Sequence, residues 1–341
     1  MQILAKSPCR VDLAGGTLDI WPLYLHHANA CTVNFAVDRY TTCDLRTRED
    51  GRIVLRSRDL GREEEFVSLE ALRGAKRYQL ALLAEVVKFF APPMGVEVDT
   101  NSEAPAGAGI SGSSSLIITL ASAFNRLLGT GYSIEAIRQV AQNVEARIIK
   151  VPTGCQDYYP AMYGGVSAVE LRVDGIRRVA LPVSHEDLIA RTVLAYTGEP
   201  RNSGINNWEV TKLYIDGDKG VHRNFDQISG IAHAMRGALG ASDWAEVARL
   251  LREEWTFRKR NAPGITTPLI DELVKVTKKA GAVGAKVCGA GGGGCVFFLV
   301  EPGTKERVGA LIGKAGATVL PVQVAPKGVT VKAVAAKGSG G

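Results

Sequence analysis

The segment "EAPAGAGISGSSSL" at residues 103–116 decides how the rest of the chain is read. Gly107, Gly109 and Gly112 let backbone N–H groups approach a ligand without interference from a Cβ. Ser111 and the run Ser113, Ser114 and Ser115 add hydroxyls just before "LIITLASAFNRLL", whose apolar density predicts a helix from about Ser114 to Leu128. A helix N-terminus presents unpaired N–H groups and a dipole that favours an anion. Residues 105–115 therefore have what a phosphate cradle needs. By themselves they serve equally well as a flexible loop ahead of a capped helix. The segment is not a Walker A loop, since it holds no lysine, and "GAGISG" matches a dinucleotide fingerprint only as a string. No acidic residue follows about twenty residues later at the end of a second strand.

The chain has 341 residues, enough for two lobes. Hydrophobic residues make up 46% and charged residues 22%, the balance of a globular protein. A net charge of +6, without a basic run interleaved with aromatics, fits a small anionic substrate and argues against nucleic acid. No apolar run approaches the ~20 residues that span a bilayer, and the N-terminus lacks a signal-peptide core. Cys9, Cys31, Cys43, Cys155, Cys288 and Cys295 fit no zinc spacing and are expected to be buried thiols in a reducing cytoplasm. The five histidines show no ligand spacing, so a catalytic metal would be held by oxygen.

Along the chain, "ILAKSPCRVDLAGG" reads as a strand ending at Gly15-Gly16. "ACTVNFAVDRYTTCDLRTR" and "GRIVLRSRD" read as an antiparallel ribbon, and "MGVEVDTNS" as a short strand. "YQLALLAEVVKFF" and "SIEAIRQVAQNVEARII" have helical spacing, the second with Ser133 as N-cap. "GGVSAVEL", "RRVALPV" and "LIARTVLAYTG" read as strands. Beyond about residue 185 four helical stretches follow, then a glycine turn at 289–294 running into "CVFFLV", and a strand near "ATVLPVQVA". Mixed runs of strands and helices indicate α+β rather than a doubly wound sheet.

Three further segments bear on residues 103–116. "SPCRVDLAGGTLD" (7–19) carries Arg10, Gly15-Gly16, Thr17 and Asp19. "TGCQDYYPAMYGG" (153–165) carries Asp157 and Gly164-Gly165, and "KVCGAGGGGCVFF" (286–298) carries a glycine cluster. On residue type alone, Arg10 reads as a strand-edge arginine, Glu145 as a solvated helix residue and Asp157 as a turn aspartate. The four segments in this order resemble the GHMP kinase family over essentially the whole chain. Within it the sequence is most similar to bacterial sugar kinases of the heptose 7-phosphate kinase and fucokinase type. "GCQDYYPAMYGG" is similar to their G-x-QDQY-x-x-x-[YF]GG signature, and "TGEPRNSGINNWE" (197–209) to the start of their C-terminal lobe.

The resemblance implies a two-lobe α+β fold. The N-terminal lobe, residues 1–180, would resemble the second domain of a ribosomal protein and carry the nucleotide site. Residues 181–331 would form a ferredoxin-like C-terminal lobe, and 332–341 a disordered tail. Pro105, Gly107, Ala108, Gly109, Ser111, Gly112, Ser113, Ser114 and Ser115 would wrap the phosphates of ATP. Ser113 and Glu145 would ligate Mg²⁺, a hard cation suited to oxygen. Asp157 would take or orient the proton of the acceptor hydroxyl, and Arg10 would stand beside it and hold the substrate oxygen or the γ-phosphate. Thr17, Asp19, Gly164, Gly165, Arg201, Gly291 and Gly292 would form the substrate side. Two departures from the heptose pattern stand out: "GGTLDI" for G-G-G-T-D, and "GISGSSS" for G-L-G-S-S-S, in which Ser111 and Gly112 exchange places. The implied reaction is ATP-dependent phosphorylation of a sugar, first the anomeric hydroxyl of a heptose 7-phosphate, with fucose, galactose or a uronic acid as alternatives. The rival is a non-catalytic sensor of ATP and sugar. The expected molecule is a cytoplasmic monomer or homodimer.

Overall fold

The computed structural model of the chain describes residues 1–200 and 203–334, without the side chains of 203–206. The first lobe is built on one sheet. Its strands are β1 (Gln2–Ala14), β2 (Cys31–Arg48), β3 (Ile53–Ser57), β4 (Arg62–Phe66), β5 (Gly95–Ser102), β6 (Val166–Arg172) and β7 (Gly175–Ala180). Helices α1 (Leu69–Gly74), α2 (Ala81–Phe90), α3 (Gly112–Leu128), α4 (Ile134–Ile149) and α5 (Tyr158–Tyr163) accompany it. After α6 (His185–Ala190) and β8 (Thr192–Tyr196) come α7 (Ser203–Ile215), α8 (Lys219–Gly240), α9 (Trp244–Arg258) and α10 (Pro268–Lys278). The chain then forms β9 (Ala282–Val287), β10 (Cys295–Val300), α11 (Lys305–Lys314), β11 (Thr318–Leu320) and β12 (Thr330–Val334).

The first sheet runs β12-β1-β2-β5-β3-β4, with β6 also on β2 and β7 on β6; the second runs β11-β8-β10-β9. The ribbon expected from β2 and β3 does not form. β5 lies between them, antiparallel to β2 and parallel to β3. Period-2 alternation marks a strand but does not name its partner; Ile53 and Leu55 are buried in the core, and Arg56 pairs with Glu63 on β4 and Glu97 on β5. The tail begins later than expected, because residues 332–334 complete β12, antiparallel to β1 from Gln2↔Val334 to Lys6↔Thr330. The remainder of the expected tail, 335–341, lies outside the described residues.

Local chemistry fixes the helices that carry the site. Ser133 Oγ accepts from Ala136 N–H at 3.2 Å, capping α4 as expected. Helix α3 ends at Gly129 in the left-handed region. The buried face of α3 (Ile117, Ile118, Leu120, Ala121, Phe124) packs on the sheet in one core. A second core joins the lobes, where Val11, Leu13, Val33 and Phe35 meet Ile231, Met235, Phe297 and Leu299. Phe35 and Phe297 contact edge to face at 6.0 Å between centroids. A shared apolar core of this kind holds the two lobes at a fixed angle and so fixes the cleft between them.

Candidate active site

One cleft of about 320 Å³ brings together residues from all four sequence segments. Pro105, Gly107, Ala108, Gly109, Ser111, Gly112, Ser113 and Ser114 line it, as do Arg10, Thr17, Asp19, Glu145 and Asp157. The loop is pinned from both lobes. Arg10 N–H donates to Ile110 O at 3.0 Å, and Cys295 N–H donates to Ala108 O at 2.6 Å. Gly107 and Gly109 have φ of +70° and +78°, which a side chain would strain. Ser111 takes φ +64° at the helix start, and its buried Oγ has no hydrogen-bond partner among the described residues. A buried hydroxyl left over at the head of a 17-residue helix, among free N–H groups, suits an anion's oxygen.

Ser115 departs from the expectation. Its Oγ turns inward to Ser7 Oγ (3.0 Å) and Thr41 Oγ1 (2.8 Å) in a buried hydroxyl cluster completed by Thr119. Successive helical residues are turned by about 100°, so the third serine lies about 200° from the first and faces the sheet when the first two face the cleft.

Arg10 and Asp157 are paired in the cleft. Arg10 Nε and Nη2 both donate to Asp157 Oδ1, at 2.9 and 2.6 Å, and Nη1 donates to Gly109 O at 2.8 Å. Arg10 is 1% exposed, not a strand-edge surface residue, whereas the Asp157 side chain is 26% exposed. Burial pushes the Arg10 guanidinium down, but the carboxylates of Asp157 and Asp12 outweigh it and keep it charged. Asp157 Oδ2 is left outside the pair.

Glu145 is buried as well. Ser113 and Ser114 donate to its two oxygens at 2.8 and 2.9 Å, and Tyr158 donates to Oε2. Burial pushes its pKa up, against those three hydroxyls. Among the described residues no cationic side chain pairs with it. A buried carboxylate lining the cleft beside a serine hydroxyl, with oxygen as the only donor atom, fits a small hard cation. Larger groups of three or more His, Cys, Asp or Glu able to hold a metal do not occur among the described residues.

On the other side of Asp157, Asp19 is 2% exposed and accepts from Gln156 N–H at 2.8 Å. Burial raises its pKa to about 6, with the Gln156 hydrogen bond opposing and Asp157 adding to the rise. Gly154 makes this approach close: a Cβ there would lie 2.1 Å from Asp19 Oδ2. Thr17 holds φ +69°, an unusual value for a β-branched residue, while Arg258 Nη1 donates to its Oγ1 at 2.9 Å.

Four of the expected substrate residues fall elsewhere. Gly164 and Gly165 do not line the cleft. A Cβ on Gly164 would meet Lys327 at 2.4 Å, and Gly165 bonds Ala325 and Ala36 through its backbone, so the pair is where the returning chain crosses α5. Gly291 and Gly292 pack against Ile265, whose carbonyl accepts from Gly292 N–H at 2.9 Å; Gly289 and Ala290 are the members of that cluster that reach the cleft. Arg201 lies outside the described residues.

The sequence reading passed over a buried ionic cluster that joins the lobes. Asp12, two residues after Arg10, accepts from Lys286 Nζ and from Gly289 N–H at 2.8 Å. Lys286 stands 3.8 Å from Glu254, and Arg258 Nε donates to Glu254 at 3.0 Å. Burial works to raise the Asp12 pKa, yet Lys286, Arg10 and Arg258 hold it well below the usual carboxylate range. The signal available was a charge inside each of two apolar strands, "RVDLA" and "GAKVC".

The comparisons with known proteins fall on the same frame. Residues 76–165 match the N-terminal domain of GHMP kinases and residues 235–317 their C-terminal domain, together just over half of the chain. This chain belongs to the GHMP kinase family. It is 29% identical over 315 residues to the D-glycero-alpha-D-manno-heptose 7-phosphate kinase of Campylobacter jejuni, covering 90% of this chain and 91% of that one. It is 24% identical to the mevalonate kinase of Thermococcus sibiricus over 97% of this chain and 99% of that one. The crystal structure of a D-glycero-D-manno-heptose 1-phosphate kinase from Bacteroides thetaiotaomicron superposes with a TM-score of 0.78 at 23% identity, covering 98% of this chain and all of that one, which shows the shared fold.

Proposed function

We propose that this GHMP kinase transfers the γ-phosphate of ATP to a sugar hydroxyl, with the anomeric hydroxyl of a heptose 7-phosphate as its first acceptor. The observation that carries the reading is the Arg10–Asp157 pair set in one cleft between the glycine–serine loop and Asp19. The heptose assignment rests on the Campylobacter jejuni relative, which aligns over nearly the whole length of both chains.

Residues 105–114 cradle the phosphates through backbone N–H groups and the Ser111 hydroxyl. Asp19 accepts sugar hydroxyls from the opposite wall. The acceptor oxygen attacks the γ-phosphorus as the bond to the leaving ADP oxygen breaks, and its proton passes to Asp157 Oδ2. Arg10, fixed on three sides, keeps Asp157 in place and presents positive charge to the transferring group. Phosphoryl transfer draws mainly on such positioning and electrostatics. Ser113 and Glu145 are the residues that would hold Mg²⁺, which when bound neutralises charge developing on the phosphates.

The test is ADP release with ATP and a panel of sugars: D-glycero-D-manno-heptose 7-phosphate, D-mannose, D-galactose, L-fucose and D-glucuronate. Turnover of the heptose phosphate at least tenfold above the others in kcat/KM is the expected result. Tight ATP binding with no turnover of any sugar would sink the kinase reading in favour of a sensor.

A further inference from the structure

Besides Ser111, two buried side chains of the cleft each keep one atom unpartnered, and the two side chains adjoin. Gln156 Oε1 and Arg258 Nη2 have no hydrogen-bond partner among the described residues, although the two residues are only 4% and 3% exposed. Both residues line the cleft. A Cβ placed on Gly16 would sit 2.3 Å from Arg258 Nη2 and 2.8 Å from Gln156 Nε2, so the guanidinium and the carboxamide meet over the same glycine. Buried polar atoms are nearly always paired, and a leftover acceptor and a leftover donor on adjoining side chains call for a partner that supplies both functions.

The surrounding charge selects that partner. Arg10, Lys286 and Arg258 face Asp12, Glu254 and Asp157, three cations against three carboxylates, all within one bonded cluster. Asp19 adds a further carboxyl beside Gln156. With Asp19 counted, carboxylates outnumber cations around Gln156 and Arg258, so nothing there attracts a phosphate beyond the one transferred at Arg10. A hydroxyl, which donates one proton and accepts one, matches Gln156 Oε1 and Arg258 Nη2. Gln156 is the neighbour of Asp157, and Arg258 shares the Asp12 carboxylate with Arg10, the residue that holds Asp157. We infer that Gln156 and Arg258 read a single sugar hydroxyl close to the acceptor hydroxyl and thereby set specificity from both lobes. Any phosphate already on the substrate is then held away from this end of the cleft. The inference rests on the sugar-kinase reading and sharpens it.

The experiment takes the intact protein with ATP and, in turn, D-glycero-D-manno-heptose 7-phosphate, D-mannose, D-galactose and L-fucose, then the mono-deoxy forms of each sugar turned over. Wild type is expected to reject one mono-deoxy form by about 10- to 100-fold in kcat/KM. Gln156→Met and Arg258→Gln should lose a similar factor on the parent sugar and no longer distinguish it from that form. Gln156→Met keeps the main-chain N–H to Asp19 and the ionic cluster, so it reports even if Arg258→Gln does not fold. Variants that lower activity equally on the parent and all deoxy forms, or that change only the melting temperature, overturn the inference while leaving the kinase intact. A wild type that turns over none of the four sugars fails at the first step and removes the sugar reading and this inference together.

Discussion

Asp19→Asn should make the ligand-free protein more stable and the enzyme worse. The Asp19 carboxyl has a pKa of about 6 in the fold against an ordinary value of 3.8, chiefly because it is buried. Below about pH 4 it is neutral in both folded and unfolded chains and contributes nothing. As pH rises from 3.8 to about 6 the unfolded chain ionises first, so the folded state loses ground, and above 6 the full penalty is present. Two pKa units correspond to about 3 kcal/mol. Asparagine removes the charge and keeps an Oδ1 to accept from Gln156 N–H. With unfolding entropy of about 2.1 cal/mol/K per residue over 341 residues, the gain is about 4 °C in melting temperature at pH 8. Differential scanning calorimetry without ligands at pH 4.5, 6 and 8 measures it. The gap between variant and wild type should be about a third of its full size at pH 4.5 and full at pH 8, while sugar turnover at pH 8 falls by about 100-fold as a hydroxyl acceptor is lost. A gap that does not change with pH, or a wild type more stable at pH 8, would refute the reasoning.

Asp157→Asn should leave ATP affinity within about twofold, by isothermal titration, and lower turnover by about 10²- to 10⁴-fold; full activity would remove the aspartate from its role. Glu145→Gln and Ser113→Ala should each raise the Mg²⁺ concentration for half-maximal rate by about tenfold or more, and an unchanged Mg²⁺ dependence would move the metal elsewhere. Lys286→Met should destabilise the fold by about 3–5 kcal/mol in urea unfolding, because it leaves Asp12 buried beside fewer cations; a loss below about 1 kcal/mol would mean that water reaches the cluster.

How much of this was legible in the sequence depended on the range of the interaction involved. The Ser133 cap, the helix after residue 111 and the strand ending at Gly15 follow from neighbours a few residues apart, and the structure has them. The glycine–serine loop was readable because backbone freedom and a helix start are local properties. The lobe-spanning cluster was not, since Asp12 and Lys286 are 274 residues apart and the local pair Arg10–Asp12 says nothing of the other lobe. Glycines misled for a related reason. Gly164 and Gly291 need their small size for chain crossings at Lys327 and Ile265, a demand indistinguishable in sequence from close approach to a ligand. At the Ser111-Gly112 exchange, Ser111 itself adopts the left-handed backbone and lines the cleft.

The pairing of β12 with β1 has a bearing on how the chain is made. β1 leaves the ribosome about 320 residues before its outer neighbour at residues 330–334. At 5–20 residues per second the intervening synthesis lasts roughly 15 to 60 s. Through that interval β1 is an open sheet edge, able to template pairing with another nascent chain. The lobe that carries Arg10 is therefore finished last, and truncation before residue 330 should yield a protein that is caught by chaperones or aggregates, whatever remains of its cleft.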